Sequence, residues 1–112
     1  MNYKKTKYKT HLESNYWSTV KNKIKLRDNY ACIIKGCGHT KNLHCHHVSY
    51  QVFGFSIVGC ELQYLEWIAL VCENCHHSIH KNKKHPLNPK NPLRINVIEF
   101  KIKQEYYDNK LI

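Results

Sequence analysis

Three features of the sequence predict a small domain of the α+β class. Residues 14–28 and residues 73–83 each carry a pattern that predicts a helix. Between them lie shorter segments whose glycines are typical of turns. A chain of 112 residues has room for one domain with a small core. We therefore expect helices packed against short extended segments.

The chain starts with a stretch rich in Lys and Tyr, residues 1–11, which predicts a basic flexible tail. Ser14 is a candidate N-cap for the first helix. The apolar residues that follow it fall at helical spacing: Trp17, Val20 and Ile24. The helix is expected to end at Asp28. It would have one apolar stripe, with basic residues on the rest of its surface.

The middle of the chain alternates short apolar segments with turn signals. Residues 30–38 and 42–50 lie on either side of a turn marked by Gly36 and Gly38, and we interpret them as a hairpin or a metal-binding knuckle. Residues 51–59, QVFGFSIVG, predict a loop whose apolar side chains need a packing partner. A further apolar stretch covers residues 62–71.

Three prolines follow the second helix, at positions 86, 89 and 92. Because proline breaks regular elements, residues 84–93 predict a linker. Residues 94–112 are compatible with either a strand or a helix. The expected organisation is a basic tail over 1–11, a domain over 12–83, and a linker with a C-terminal extension over 84–112.

Two cysteine pairs have the spacing of zinc knuckles: Cys32 with Cys37, and Cys72 with Cys75. Each pair lets one turn present two thiolates to one ion, as a tetrahedral zinc site requires. The alternative is four buried free cysteines that act as small apolar side chains. We predict a structural zinc that contributes to folding. Cys45 and Cys60 lack such spacing and are expected in the core.

The histidines form a second candidate site. His76 and His80 lie one helical turn apart, which suits two ligands of one metal, although a solvated basic helix end would look the same. His46 and His47 are adjacent, and neighbours in a strand face opposite sides. Both can serve one site only at a strand end or a bulge. There, one could bind a metal and the other could act as a base.

The formal net charge of +10 favours a polyanionic partner, nucleic acid first. Lysines that only increase solubility are the alternative. No apolar run has the length of a signal peptide or a membrane span, so we expect a cytoplasmic protein of a bacterial or phage-infected cell. In that compartment the cysteines are more often free thiols or metal ligands than disulfides.

Two motifs resemble those of the HNH endonucleases. LHCHHVSY at 43–50 and LVCENCHHSIH at 70–80 are similar to the two halves of that family's metal site. The similarity extends to HLESNYWSTVKNKIKLRDNYAC at 11–32 and to GCELQYLEWIALVC at 59–72, so it covers residues 12–81. The resemblance implies two strands and a helix around a metal ion, the ββα-metal fold, with a four-cysteine zinc site and a preceding helix.

The resemblance also implies roles for the histidines. His47 would be the general base that deprotonates the attacking water. His46 and His76 would hold a catalytic Mg²⁺, Mn²⁺ or Ni²⁺ ion, with His80 as a further ligand or a phosphate contact. The four paired cysteines would bind a structural Zn²⁺. The expected activity is metal-dependent hydrolysis of DNA phosphodiester bonds, in a phage, mobile-element or restriction context.

DNA is the expected partner, with no membrane partner and no small-molecule substrate. Relatives often act as homodimers, so a homodimer is a further expectation. The basic residues expected to contact DNA lie on the first helix and after the second motif: Lys21, Lys23, Lys25, Arg27 and Lys81.

Three departures from the family pattern stand out. The first knuckle has four residues between its cysteines instead of the common two. The loop between Tyr50 and Glu61 is longer than usual. Trp67 falls near the position of the family's middle Asn and cannot replace its orienting role. A non-catalytic zinc-stabilised nucleic-acid-binding module is therefore the alternative, followed by a small metal-binding interaction protein.

Overall fold

The computed structural model describes residues 3–110, with side chains from residue 7 to residue 105. The remaining ends of the predicted tail and C-terminal extension, residues 1–2 and 111–112, lie outside this range. The elements in the described range are α1 (Tyr3–Leu12), α2 (Asn15–Arg27), β1 (Leu43–His47), β2 (Gln51–Val52), β3 (Phe55–Ser56), β4 (Ile68–Cys72), α3 (Glu73–Lys81) and α4 (Val97–Lys110). Every helix in the described range is too short or too polar to cross a membrane.

The centre of the molecule is an antiparallel pair of strands, β1 and β4. Their register places Leu43 opposite Cys72 and His47 opposite Ile68. All five residues of β4 are buried. Helix α3 starts directly after β4 and packs against both strands. The predicted α+β class is confirmed.

The segment 30–38 is a loop, so the hairpin interpretation of residues 30–50 is wrong. Strand β1 takes β4 as its partner instead, and the loop is anchored by the Ile33 amide, which donates to the Leu70 carbonyl at 3.0 Å. Gly36 and Gly38 have φ of +82° and +66°. Such backbone angles turn the chain back on itself, which suits a knuckle and ends strand pairing.

Helix α2 agrees with the prediction. The Ser14 side chain accepts a hydrogen bond from the Trp17 amide at 3.1 Å, as an N-cap residue does. The predicted apolar stripe is buried against Ile68 and Leu70 of β4: Trp17, Val20 and Ile24. Burial of each such side chain contributes roughly 1.5–3 kcal/mol, which places α2 firmly on one face of the sheet.

Residues 3–12 form helix α1, where a flexible tail was predicted. Tyr8 and His11 lie one turn apart on α1 and both make hydrogen bonds to side chains far away in the sequence. These long-range contacts hold the helix on the domain, and no local sequence pattern predicts them.

Residues 84–93 pack against the domain instead of forming a free linker. Leu87 is fully buried. The Asn88 amide donates to the carbonyls of Ile79 and Asn82 at 2.9 and 3.0 Å, and Asn91 makes similar contacts within the segment. Prolines exclude a helix here, but asparagine side chains satisfy the backbone groups that a helix would otherwise pair. The following extension is a helix, α4.

The segment predicted as a loop at 51–59 contains a short hairpin, β2–β3. Phe53 and Gly54 have φ of +52° and +82°, the left-handed angles that tight hairpin turns require. Val52 and Ile57 are buried, as the apolar composition predicted, but Phe53 and Phe55 are exposed.

A buried ion-pair group joins α2, β4 and α4. The Asp28 carboxylate is fully buried, and Arg27 donates to both its oxygens at 2.9 and 2.7 Å. The same guanidinium donates to the carbonyls of Leu65 and Ile68, both at 2.8 Å. Lys101 of α4 forms the second ion pair with Asp28. The group therefore holds the C-terminal helix on the domain.

Replacing Asp28 with alanine should lower the free energy of unfolding by about 3 kcal/mol, because it leaves two cations without their buried partner. Urea denaturation with zinc present measures this. The exposed pair of Glu99 and Lys103, at 3.4 Å, supplies a control. Glu99→Ala should cost less than about 1 kcal/mol, and equal losses for the two variants would contradict the assigned role.

Candidate metal centres and catalytic cleft

The four cysteines of the two predicted pairs come together. Their sulfur atoms all lie within 4.8 Å of one another: Cys32, Cys37, Cys72 and Cys75. Cys37 Sγ and Cys72 Sγ are 3.6 Å apart. The loop 30–38 contributes the first pair, and the junction of β4 with α3 contributes the second. Four sulfur ligands at this spacing could hold a metal ion such as zinc.

The second pair has the local geometry of a knuckle. Cys72 is the N-cap residue of α3, and its sulfur accepts a hydrogen bond from the Cys75 amide at 3.5 Å. This bond lowers the pKa of the Cys72 thiol, which favours the thiolate. Burial raises the pKa of Cys32 and of Cys75. A cation among the sulfurs is what would release those protons.

The remaining two cysteines lie outside this group. Cys45 is half-buried, and burial raises the pKa of its thiol to about 11, so it is a neutral packing side chain. Cys60 is exposed, and its predicted place in the core is wrong. The inward position in that turn belongs to its neighbour Glu61, which is fully buried.

Three histidines form a separate group. His46, His76 and His80 each offer a ring nitrogen within 4.8 Å of the others. The two residues on α3 are one turn apart, and their Nε2 atoms are 3.1 Å from each other. The predicted pairing of one strand histidine with two helix histidines is therefore present, and three imidazoles at this spacing can bind one divalent ion.

The protein orients His46 for ligation. Its Nε2 lies 2.7 Å from the Leu87 carbonyl, which can only accept, so Nε2 carries the proton and Nδ1 keeps its lone pair. Burial, with the neighbouring imidazoles, lowers the pKa of His46 and of His76 to about 4. Both rings are neutral near pH 7, the state that binds metals.

His44 contacts this group as well, although no role was predicted for it. Its Nδ1 lies 2.8 Å from Nδ1 of His76. One of these two nitrogens donates to the other, which holds the His76 ring with Nε2 near His80. Strand periodicity could have predicted this position, because His44 and His46 are two residues apart and share a face of β1.

His47 faces a different set of neighbours. Its ring stacks between Trp17, at 5.1 Å between centroids, and Tyr50, at 5.0 Å. Strand β1 ends at His47, so the strand-end condition for using two adjacent histidines is met. Both His46 and His47 line one cleft of about 430 Å³.

The Nε2 atom of His47 is held by a buried carboxylate. It lies 3.0 Å from Glu61 Oε2, which also receives a hydrogen bond from His11 Nε2 at 2.8 Å, and the Gly59 amide donates to Oε1 at 2.8 Å. Burial alone would raise the pKa of Glu61, but these hydrogen bonds outweigh it and lower the pKa to about 2. Glu61 is therefore ionised, and His47 Nε2 carries the proton.

The other nitrogen of His47 is the basic one. Nδ1 keeps its lone pair and lies 3.1 Å from the Tyr8 hydroxyl, which donates to it. Burial raises the pKa of Tyr8, so the hydroxyl stays protonated. Tyr8 of α1 thus lines the cleft and covers the Nδ1 side of His47. Neither this contact nor the role of Glu61 was predicted, because both join residues distant in the chain.

The predicted DNA-contacting residues are distributed unevenly. Lys21 lines the histidine cleft, and Lys23 and Lys81 are exposed. Lys25 is half-buried. Arg27 differs, because its guanidinium is engaged by Asp28 and two carbonyls of the core. Its role is in the fold.

Cys72→Ser should lose the bound metal and with it the folded domain, because metal binding and folding share their free energy at such a site. Zinc content, measured by plasma mass spectrometry, should fall from about one ion per chain to near zero. Circular dichroism should show the loss of helix.

Cys60→Ser is the matched control, since this cysteine is exposed and outside the group. It should keep both the zinc and the circular dichroism spectrum. A folded, metal-free Cys72→Ser protein would contradict a structural site.

No protein-family model, curated protein or solved structure matches this chain. The HNH resemblance therefore stays a prediction that depends on the two motifs.

Proposed function

We propose that the protein is a metal-dependent endonuclease of the HNH type that hydrolyses phosphodiester bonds of DNA. The proposal depends on one observation. The three-histidine group lines the same cleft as His47, whose ring is hydrogen-bonded to the buried Glu61. Strands β1 and β4 with helix α3 would then form the ββα-metal core.

The three-histidine group fits a divalent ion. The Leu87 carbonyl sets the His46 tautomer that suits ligation, and the contact with His44 orients the His76 ring. An ion held there would supply positive charge to the phosphate oxygens and to the leaving oxygen. Imidazole ligands suit Ni²⁺ better than Mg²⁺ or Mn²⁺, which prefer carboxylate and water oxygens.

His47 would be the general base. Its Nδ1 lone pair takes a proton from water, and the imidazolium that forms is stabilised by the Glu61 carboxylate on Nε2. Glu61 keeps its negative charge throughout, as its pKa of about 2 requires. The stacking of Trp17 and Tyr50 on the ring keeps Nδ1 in one direction.

DNA would bind at the cleft, with further positive charge from α2 and α3 around it. Lys21 lies in the cleft itself, and Lys23, Lys25 and Lys81 carry further positive charge on α2 and α3. The net charge of +10 supports phosphate contacts that weaken steeply with salt. The four-cysteine site would hold the loop 30–38 against the start of α3. A homodimer remains an expectation from the resemblance.

One contact favours the alternative, a non-catalytic nucleic-acid-binding module. The Tyr8 hydroxyl occupies the place on His47 Nδ1 that a water must take. Hydrolysis therefore requires Tyr8 to move away when DNA binds. A protein in which it never moves would bind DNA without cleaving it.

The protein should nick supercoiled plasmid when Mg²⁺, Mn²⁺ or Ni²⁺ is added. His47→Ala should lower the nicking rate at least about a hundredfold, because it removes the proton acceptor. Agarose gels of a time course measure this, and electrophoretic mobility shifts should show DNA binding unchanged.

His77→Ala is the matched control, because His77 is an exposed histidine on the same helix and outside both groups. It should nick at the wild-type rate. Plasmid left intact by the wild-type protein with all three ions, while it still binds, would establish the non-catalytic alternative.

A further inference from the structure

The tip of the β2–β3 hairpin carries two exposed aromatic side chains. Phe53 is 93% exposed and Phe55 is 71% exposed. The hairpin is anchored from below by Val52 and Ile57, which are buried, so the two phenylalanines project away from the core. Exposed aromatic surface of this size contributes nothing to folding.

The backbone at the tip is strained as well. Phe53 has a φ of +52°, a left-handed conformation that is rare for a bulky side chain. Asparagine or glycine would fit this turn position better. A strained, solvent-exposed phenylalanine costs stability, and such positions persist where they serve a ligand.

A pocket of about 260 Å³ lies beside the tip. Its walls include Phe53, Trp67 and Pro92, and Arg94 supplies a cation. The Arg94 guanidinium is held in place, because it donates to the Ser49 hydroxyl at 2.9 Å and to the Asn91 carbonyl at 3.0 Å. Aromatic walls with a fixed guanidinium are typical of sites that stack nucleobases.

The pocket and the histidine cleft are lined by neighbouring residues of the chain. Tyr50 stacks on His47, while the residues on either side of Tyr50, Ser49 and Gln51, line the pocket. The four residues from Tyr50 to Phe53 span at most about 14 Å. A nucleotide next to a bond cleaved at His47 can therefore reach the pocket. Trp67, at the position of the family's middle Asn, lines this pocket and not the cleft.

We propose that Phe53, Phe55 and the pocket beside them bind an unstacked nucleobase that flanks the cleaved bond. The preferred substrate is then DNA with unpaired bases, such as a bulge or a single-stranded gap. This proposal rests on the proposed nuclease function for the position of the cleaved bond, but the binding of the base is independent of cleavage.

Charge and area argue against a second copy of the chain as the occupant. Two phenylalanine side chains offer roughly 300–500 Å², well below the roughly 800 Å² per partner of a stable interface. A net charge of +10 also repels a second copy and attracts a polyanion.

The test compares two short duplexes, one fully paired and one with a bulge that contains 2-aminopurine. Wild-type protein without added divalent ion should bind the bulged DNA about tenfold more tightly by fluorescence anisotropy, and should change the 2-aminopurine emission. The double variant Phe53→Ala/Phe55→Ala should lose both effects and keep its affinity for paired DNA.

Ile98→Ala/Ile102→Ala is the matched control, because these side chains are 60% and 62% exposed but lie on α4. This variant should keep the wild-type preference for bulged DNA and the wild-type change in 2-aminopurine emission. The proposal is overturned if the phenylalanine variant keeps the preference for bulged DNA. It is equally overturned if that variant loses only self-association in sedimentation, or only binding to anionic lipid vesicles.

The outcomes separate this proposal from the nuclease function. A protein that nicks plasmid but binds both duplexes equally contradicts the base pocket alone. A protein that binds the bulge through Phe53 and Phe55 but never nicks supports the base pocket and contradicts the nuclease function.

Discussion

The buried carboxylate of Glu61 is the constraint on which the candidate active site depends. An ionised group with no access to water is tolerated only when hydrogen bonds replace its hydration. Three donors do so here, from the start of the chain (His11), the end of β1 (His47) and the Gly59 amide. The same hydrogen bonds dock α1 and assign the proton of His47 to Nε2. A single buried charge therefore determines both the packing of α1 and the tautomer of His47.

The strand pair explains how two candidate metal sites and a candidate base fit in so small a domain. Cys72 ends β4 and starts α3, so the four-cysteine group sets where the helix begins. One turn of that helix then places His76 and His80 over β1. Alternation along β1 turns the His46 ring towards this group and the His47 ring towards Trp17, and both rings line the cleft at the end of the strand. The cysteine site thereby positions histidines that do not touch it.

Local spacing predicted the features that depend on neighbouring residues. The α2 stripe, the cysteine pairs and the i, i+4 histidines each depend on residues that lie close together in the sequence. The features that were missed join residues far apart: Tyr8 with His47, His44 with His76, and the pairing of β1 with β4. The β2–β3 hairpin was missed for a different reason, because Phe53 occupies a turn position where its residue type gives no turn signal.

The central claim is that Glu61 holds His47 with its proton on Nε2 and its lone pair on Nδ1. Long-range ¹H–¹⁵N correlation spectra of ¹⁵N-histidine-labelled protein report the tautomer of each ring directly. The account predicts an Nε2-protonated His47 in the wild type and a mixture of tautomers in Glu61→Gln, with the spectra of His46 and His76 unchanged. An Nδ1-protonated His47 in the wild type would contradict it, because the basic nitrogen would then face the carboxylate and no base would point to the cleft.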